Sequence, residues 1–215
     1  MSIRIVTIER EYGSGGAKIA QRLAERLGWK LWDEELTAEI ARVAQVEREA
    51  ALRCDEHLDT FLYRLFKVYA RGSCERALSI GEDSGFDADR MVEVLGTVIA
   101  DVASRGNCVI VGRGSAFFLR DRPDVFHAFV YAPDDEKIRR LRSIGKSEEE
   151  AAQLIQDVDR ERASFIRHYF NAEWPQRSLY ELMINSKFGD EHVVAMILEH
   201  IAAVEIWSAA HSASR

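Results

Sequence analysis

The chain has 215 residues, with 29 Lys plus Arg against 36 Asp plus Glu and a formal charge of −7. That balance argues against a non-specific nucleic-acid binder or a membrane-surface protein, while leaving room for a local basic pocket. A 47% hydrophobic, 30% charged composition excludes disorder as the main state and supports one globular domain with a sizeable core.

Ile3–Ile8 is a β-branched run that meets Glu9 too soon to be a signal peptide. A glycine-rich stretch follows, Tyr12-Gly-Ser-Gly-Gly16, and then a helical pattern with Ile19, Leu23 and Leu27 on one face and Gly28 as its stop. Strand, glycine loop and helix open a βαβ unit. Trp29–Trp32 reads as a second strand, and Asp33 as the N-cap of a helix through Ile40 and Val43. From Glu47 to Ser79 the pattern is amphipathic, and its stripe Leu58–Phe66 suits either the core or a homodimer contact. Gly81–Gly85 reads as a loop, and Asp89–Ser104 as a helix.

Cys108–Val111 is a continuous apolar run, expected as a strand buried on both faces of a parallel sheet, and it ends at Gly112-Arg113-Gly114. Phe126–Tyr131 is another such strand, followed by Pro133 and a helix start at Asp134. Glu148–Tyr169 predicts a long charged helix, Leu182–Ile184 a short strand and Glu191–Ile206 a closing helix. No run reaches the 18 or so apolar residues of a membrane span. The pattern is that of an α/β, three-layer protein with a mostly parallel five-stranded sheet. A single domain covers 1–207, with a frayed tail over 208–215. Cys54, Cys74 and Cys108 are odd in number and make no Cys-x-x-Cys, which predicts a reducing, cytoplasmic setting.

Ligands of such sheets lie at the carboxyl ends of the strands, where both glycine turns fall. A glycine loop between strand and helix points backbone N–H groups at an anion, backed by the helix dipole. The strict motif Gly-x-x-x-x-Gly-Lys-[Ser/Thr] is absent: Gly16 stands where the Lys belongs, Ala17 where the hydroxyl belongs, and Arg10 where the first glycine would be. Gly13, Ser14, Gly15 and Gly16 would cradle phosphates. Arg10 and Lys18 are the candidate replacements for the missing charge, and Ser14 for the Mg²⁺ ligand. Arg113 directly follows a buried strand and is expected at the ligand edge. Arg160 and Arg167 are two turns apart and share a helix face, beside Arg162. Arginines serve phosphoryl transfer by positioning and neutralising the transferred group. His57, His127, His168, His192 and His200 fall at no metal-ligand spacing.

Ile8-Glu-Arg-Glu-Tyr-Gly-Ser-Gly-Gly16 with Ile19-Ala20, Trp32-Asp33-Glu-Glu-Leu36, Val109-Ile-Val-Gly-Arg113 and Tyr131-Ala-Pro133 resemble the cytidylate kinase-like family. So do Asp159-Arg-Glu-Arg162, Tyr169 and Asn185-Ser186, in order over residues 3 to 200. The resemblance implies a P-loop kinase fold with a helical NMP-binding insertion (33–80) and a helical lid (134–170). It also implies ATP and Mg²⁺ as cofactors. Asp33, Arg42, Arg113 and Arg167 become candidate acceptor-binding residues; Lys18, Arg113, Arg160 and Arg162 become candidate catalytic ones. Two positions depart from the family pattern: Gly114 where the Gly-Arg-Asp turn carries Asp, and Glu39 where an acceptor-phosphate Arg stands. The expected activity is transfer of the ATP γ-phosphoryl to CMP, dCMP or a related small acceptor. A nucleotide-binding module without turnover and a kinase of a non-nucleotide alcohol, with Glu9 or Asp33 as its base, are the alternatives. No nucleic-acid or membrane partner is expected.

Overall fold

The computed structural model describes residues 2–33, 35–36, 38–40, 42–43 and 88–212. The Glu47–Ser79 pattern, its Leu58–Phe66 stripe with the dimer assigned to it, and the Gly81–Gly85 loop lie outside them. Five strands form the sheet: β1 (Ile5–Arg10), β2 (Lys30–Trp32), β3 (Cys108–Val111), β4 (Val125–Tyr131) and β5 (Leu182–Asn185). They are all parallel, in the order β2-β3-β1-β4-β5. The helices are α1 (Gly16–Leu27), α2 (Ala88–Arg105), α3 (Ser115–Phe118), α4 (Asp134–Ser143), α5 (Glu148–Phe170) and α6 (Asp190–Ser212).

The apolar runs make the central strands because a parallel sheet covered on both faces asks for unbroken hydrophobicity. All six residues of β1 and all four of β3 are buried. Alternate side chains then feed two cores. On one face Ile5 and Ile110 pack with Val94, Leu95, Ile99 and Val102 of α2. On the other, Val6, Ile8, Val109 and Phe126 pack with Ile19 and Leu23 of α1 and Val193, Val194 and Ile197 of α6. Cys108 belongs to the first core, and burial pushes its thiol up to about 11, so it stays a protonated apolar filler.

α1 ends as its pattern predicted, at Gly28 in the left-handed region with φ 66°. α5 begins on Ser147, whose hydroxyl accepts the Glu150 N–H. The stretch 134–170 assigned to a lid consists of α4 and α5. They pack together around Leu141, Ala151, Ile155 and Val158, with Tyr12 of the glycine loop in the same cluster.

Two expectations are corrected. The helix predicted to end at Ile206 runs on to Ser212, because the small and apolar residues after Trp207 sustain helix where fraying was expected. That same helix, over Asp190–His211, reaches a mean hydropathy of 1.6 and is long and apolar enough to cross a membrane by length and composition. Here its Val193, Val194, Ile197 and Ile201 stripe is buried on the sheet.

Ile197 is fully buried, while Ile206, further along the same helix, is 72% exposed. Urea unfolding is therefore expected to show Ile197→Ala losing about 2–5 kcal/mol, and Ile206→Ala changing by less than about 0.5 kcal/mol.

Candidate functional site

β1 has β3 on one side and β4 on the other, while the chain leaving it travels through α1 to the outer strand β2. This is the topological switch point of the sheet, where a crevice opens beyond the strand ends. The glycine loop sits in it. Gly13 (φ 76°) and Gly15 (φ 83°) are both left-handed, conformations that a side chain at either position would strain. The first bond of α1 is Ile19 N–H to Gly15 O at 3.1 Å. The N–H groups of Gly15, Gly16, Ala17 and Lys18 therefore lie ahead of the helical ladder. No side chain caps them, and the first turn carries no acid. An uncapped, positively polarised helix end is suited to phosphate.

The loop is held from behind by its carbonyls. Arg140 on α4 donates to Ser14 O, to Ser186 Oγ (3.0 Å) and to Ser186 O (2.8 Å). Ser186 Oγ in turn donates to Ser14 O at 2.6 Å. Arg162 on α5 donates to Arg10 O at 2.8 Å and to Asp159 Oδ1 at 3.1 Å, and that same oxygen accepts the Tyr12 N–H at 2.8 Å. Lys137 on α4 reaches Glu11 Oε2 at 2.7 Å and Asp134 at 3.0 Å. Burial works against the Lys137 charge, but these two carboxylates outweigh it and hold the ammonium above the usual lysine range.

Arg10 crosses beneath the loop. A Cβ at Gly16 would stand 2.6 Å from Arg10 Cβ, and one at Gly112 would collide with Arg10 Nη1. Both glycines therefore leave the channel that the Arg10 side chain fills. Its guanidinium ends 4.0 Å from Asp33, which also receives Arg113 Nη1 at 3.3 Å. Arg113 is buried, with φ 58° and a second bond to Val111 O at 3.1 Å. Glu9 is buried on the opposite sheet face from Arg10. Burial pushes its carboxyl above the usual range, against the pull of Arg10, Arg162, the Ala116 N–H and Arg113.

Above the loop lies a cleft of about 830 Å³, lined by Arg10, Lys18, Arg139, Arg140, Arg162 and Lys187 against Glu11, Glu136 and Asp190. Its size falls within the range of small-molecule sites. Of the residues expected there, Arg10, Gly13, Gly15, Gly16, Lys18 and Arg162 line it. Lys18 is largely exposed and pairs with Asp190 at 3.1 Å. Ser14, expected as a metal ligand, is fully buried, and its hydroxyl donates to Glu11 O at 2.8 Å. Its oxygen is spent on shaping the loop. Arg113 and Asp33 meet one another to one side of the cleft. Arg42 is exposed and forks onto Glu39 of its own helix at 2.9 and 3.0 Å. The face shared by Arg160 and Arg167 is the solvent face: Arg160 pairs with Asp157 at 3.4 Å and Arg167 is exposed. Arg162 is the inward arginine of α5. The sequence reasoning missed Lys137 and Arg140, and it quoted Asp159 and Ser186 within family motifs without giving either a role at the loop. The signal for Arg140 and Lys137 was their place on the helix after β4; that for Asp159 was its spacing of one turn from Arg162.

A parallel sheet in this order, with a glycine loop between β1 and α1 and basic side chains of two further helices converging on it, defines a P-loop kinase-like protein. More narrowly, the chain belongs to the cytidylate kinase-like family, whose model matches residues 5–187. Among solved structures it is similar to an uncharacterized protein from Eubacterium ventriosum ATCC 27560, at 22% identity and a TM-score of 0.65 over 93% of this chain and 98% of that one. It is also similar to shikimate kinase from Bacteroides thetaiotaomicron, at 18% identity and a TM-score of 0.50 over 91% of this chain and 97% of that one. At these identities the likeness is one of fold. No curated protein matches the chain.

Asp159 offers a check on the clasp. Burial pushes its carboxyl up to about 6, only partly offset by Arg162 and the Tyr12 N–H. The folded state thus binds this proton more tightly than the unfolded chain does. The resulting stability is fully present below the ordinary Asp range and is lost as pH rises through about 6. A carboxyl-detected NMR titration is expected to place the Asp159 midpoint near 6, and Asp159→Asn is expected to flatten the pH dependence of unfolding between about 4 and 7.

Proposed function

We propose that this protein is a phosphotransferase that moves the γ-phosphoryl group of Mg·ATP to a small acceptor, with CMP and dCMP first among the acceptors its family affiliation suggests. The observation that carries this reading is the open N-terminus of α1 facing a cleft rich in guanidinium and ammonium groups. The loop N–H groups suit the phosphate chain. Arg140, Lys18 and Arg162 line the cleft, which supports a role for them in offsetting the charge that the missing P-loop lysine would have met. Among the described residues no three His, Cys, Asp or Glu are grouped to hold a metal ion. This fits Mg²⁺ arriving with ATP, held by phosphates and water with one or two carboxylates, since Mg²⁺ keeps several waters. Glu11 and Asp190 are the carboxylates that line the cleft beside the loop. The acceptor belongs at the Asp33–Arg113 edge, which lies at the same end of the sheet.

Phosphoryl transfer of this kind works by positioning and charge neutralisation, so one misplaced arginine is costly. ADP release from Mg·ATP with CMP and dCMP is expected to collapse in Arg113→Ala. Arg140→Ala, which frees Ser14 O and Ser186, is expected to lower kcat/KM for ATP by about 10- to 1,000-fold. Thermal stabilisation by ATP with no ADP release for any acceptor would sink the transferase reading and leave a nucleotide-binding module.

A further inference from the structure

Two of the loop's departures from the strict P-loop motif are a single departure seen from its two ends. Gly16 stands where the motif has its lysine, and Arg10 where it has its first glycine. The backbone does not ask for glycine at 16: the residue opens α1 and lies outside the left-handed region that Gly13 and Gly15 occupy. What position 16 lacks is room for a Cβ, which would stand 2.6 Å from Arg10 Cβ and 2.9 Å from Arg10 Cγ. Carbon atoms in contact keep about 3.5–4.0 Å apart, and these two belong to the root of the arginine, which cannot swing away. An arginine at 10 and a lysine at 16 therefore exclude one another. The loop can carry its cation at one end or at the other.

The path of Arg10 fits that role. Its side chain leaves the end of β1, passes under Gly16 and reaches Gly112 beyond β3, where Nη1 fills the space a Cβ would need. It is only 4% exposed, yet it lines the donor cleft. Nη2 has no hydrogen-bond partner among the described residues. Asp33 Oδ1, 4.0 Å from Nη2, lies closer to Arg113 at 3.3 Å. A buried, charged donor with no acceptor is costly, and an anion in the cleft would satisfy it. Its neighbours are committed elsewhere. Arg140 donates to Ser14 O, Ser186 and Glu136, Arg162 to Arg10 O and Asp159, and the exposed Lys18 pairs with Asp190.

We propose that Arg10 is the P-loop cation of this protein, carried at the opposite end of the loop from the usual lysine, with Nη2 donating to the β- and γ-phosphate oxygens of ATP. This rests on the phosphotransferase reading above. The bond from the γ-phosphorus to the β,γ-bridging oxygen breaks with its electron pair going to ADP, as an acceptor phosphate oxygen forms the new bond. Arg10 stays protonated throughout and offsets charge on the group in transit. Its far end touches the turn that carries Arg113, so one side chain links the donor loop to the acceptor edge.

Calorimetric titration of the full chain with ATP, ADP and AMP reads the contact whatever the acceptor, and ADP release from Mg·ATP with CMP and dCMP reads the chemistry. Arg10→Met fills the same channel without charge and leaves Asp33 to Arg113. Its melting temperature is expected to match or exceed the parent's. Its preference for ATP over AMP is expected to fall about 10-fold or more, and ADP release about 100-fold or more. Gly16→Lys alone sets a Cβ against Arg10 and is expected to melt below the parent. Arg10→Gly combined with Gly16→Lys restores the motif's glycine and lysine. That exchanged variant is expected to regain the melting temperature lost in Gly16→Lys, with an ATP preference within about threefold of the parent's. An ATP preference in Arg10→Met within about threefold of the parent's would overturn the proposal and leave the transferase reading intact. So would a Gly16→Lys variant as stable as the parent, or an exchanged variant that binds ATP no better than Arg10→Gly. Should Arg10→Met fail to fold, the exchanged variant decides. A parent that prefers neither ATP nor ADP to AMP would overturn the transferase reading and this inference with it.

Discussion

The glycine loop can present its N–H groups to an anion only if its carbonyl groups are satisfied elsewhere, and the surrounding structure is arranged around that one-sided bonding. Arg162 takes Arg10 O and Arg140 takes Ser14 O, both from helices that follow β4 in sequence. Asp159 accepts the Tyr12 N–H and orients Arg162 with the same oxygen. Because the donors are planar guanidinium groups with several N–H bonds in fixed directions, each can hold a loop carbonyl and a second group at once. The consequence is a loop shaped by α4 and α5, with the end of α1 left clear on the cleft side.

A second constraint follows from the first. Holding the loop this way places Arg10, Arg113, Arg162, Glu9 and Asp33 in a nearly dry layer at the carboxyl end of the sheet. Removing paired charges from water is at best close to neutral for stability. A layer so rich in them is better explained by chemistry than by folding. The cores carry the stability, and the charged edge draws on it.

Most of the architecture was legible. The unbroken apolar runs of β1, β3 and β4, the helical faces of α1 and α2, the stop at Gly28 and the helix start at Asp134 each follow from period and local chemistry, and each falls within a residue or two of its expected place. α3 was missed because four residues after a Gly-Arg-Gly turn carry no period. The end of α6 was missed because a small, weakly apolar tail looks the same whether helical or frayed. Both glycine turns were also legible as one ligand edge, since strand order does not matter to which end of a parallel sheet they occupy.

The side chains that complete the edge were another matter. Arg160, Arg162 and Arg167 have the same chemistry and lie on one helix, and only the packing of α5 decides that Arg162 turns inward while its neighbours face water. Ser14 could offer its hydroxyl to a metal or to Glu11 O; the backbone turn gives it to Glu11. Arg140 and Ser186 are 46 residues apart and meet only because β4 and β5 pair. Period and composition, which act over a few residues, determined the sheet, the layers and the ligand edge. Which charged group meets which across that edge depends on distances between elements far apart in the chain, and the tertiary structure alone decided it.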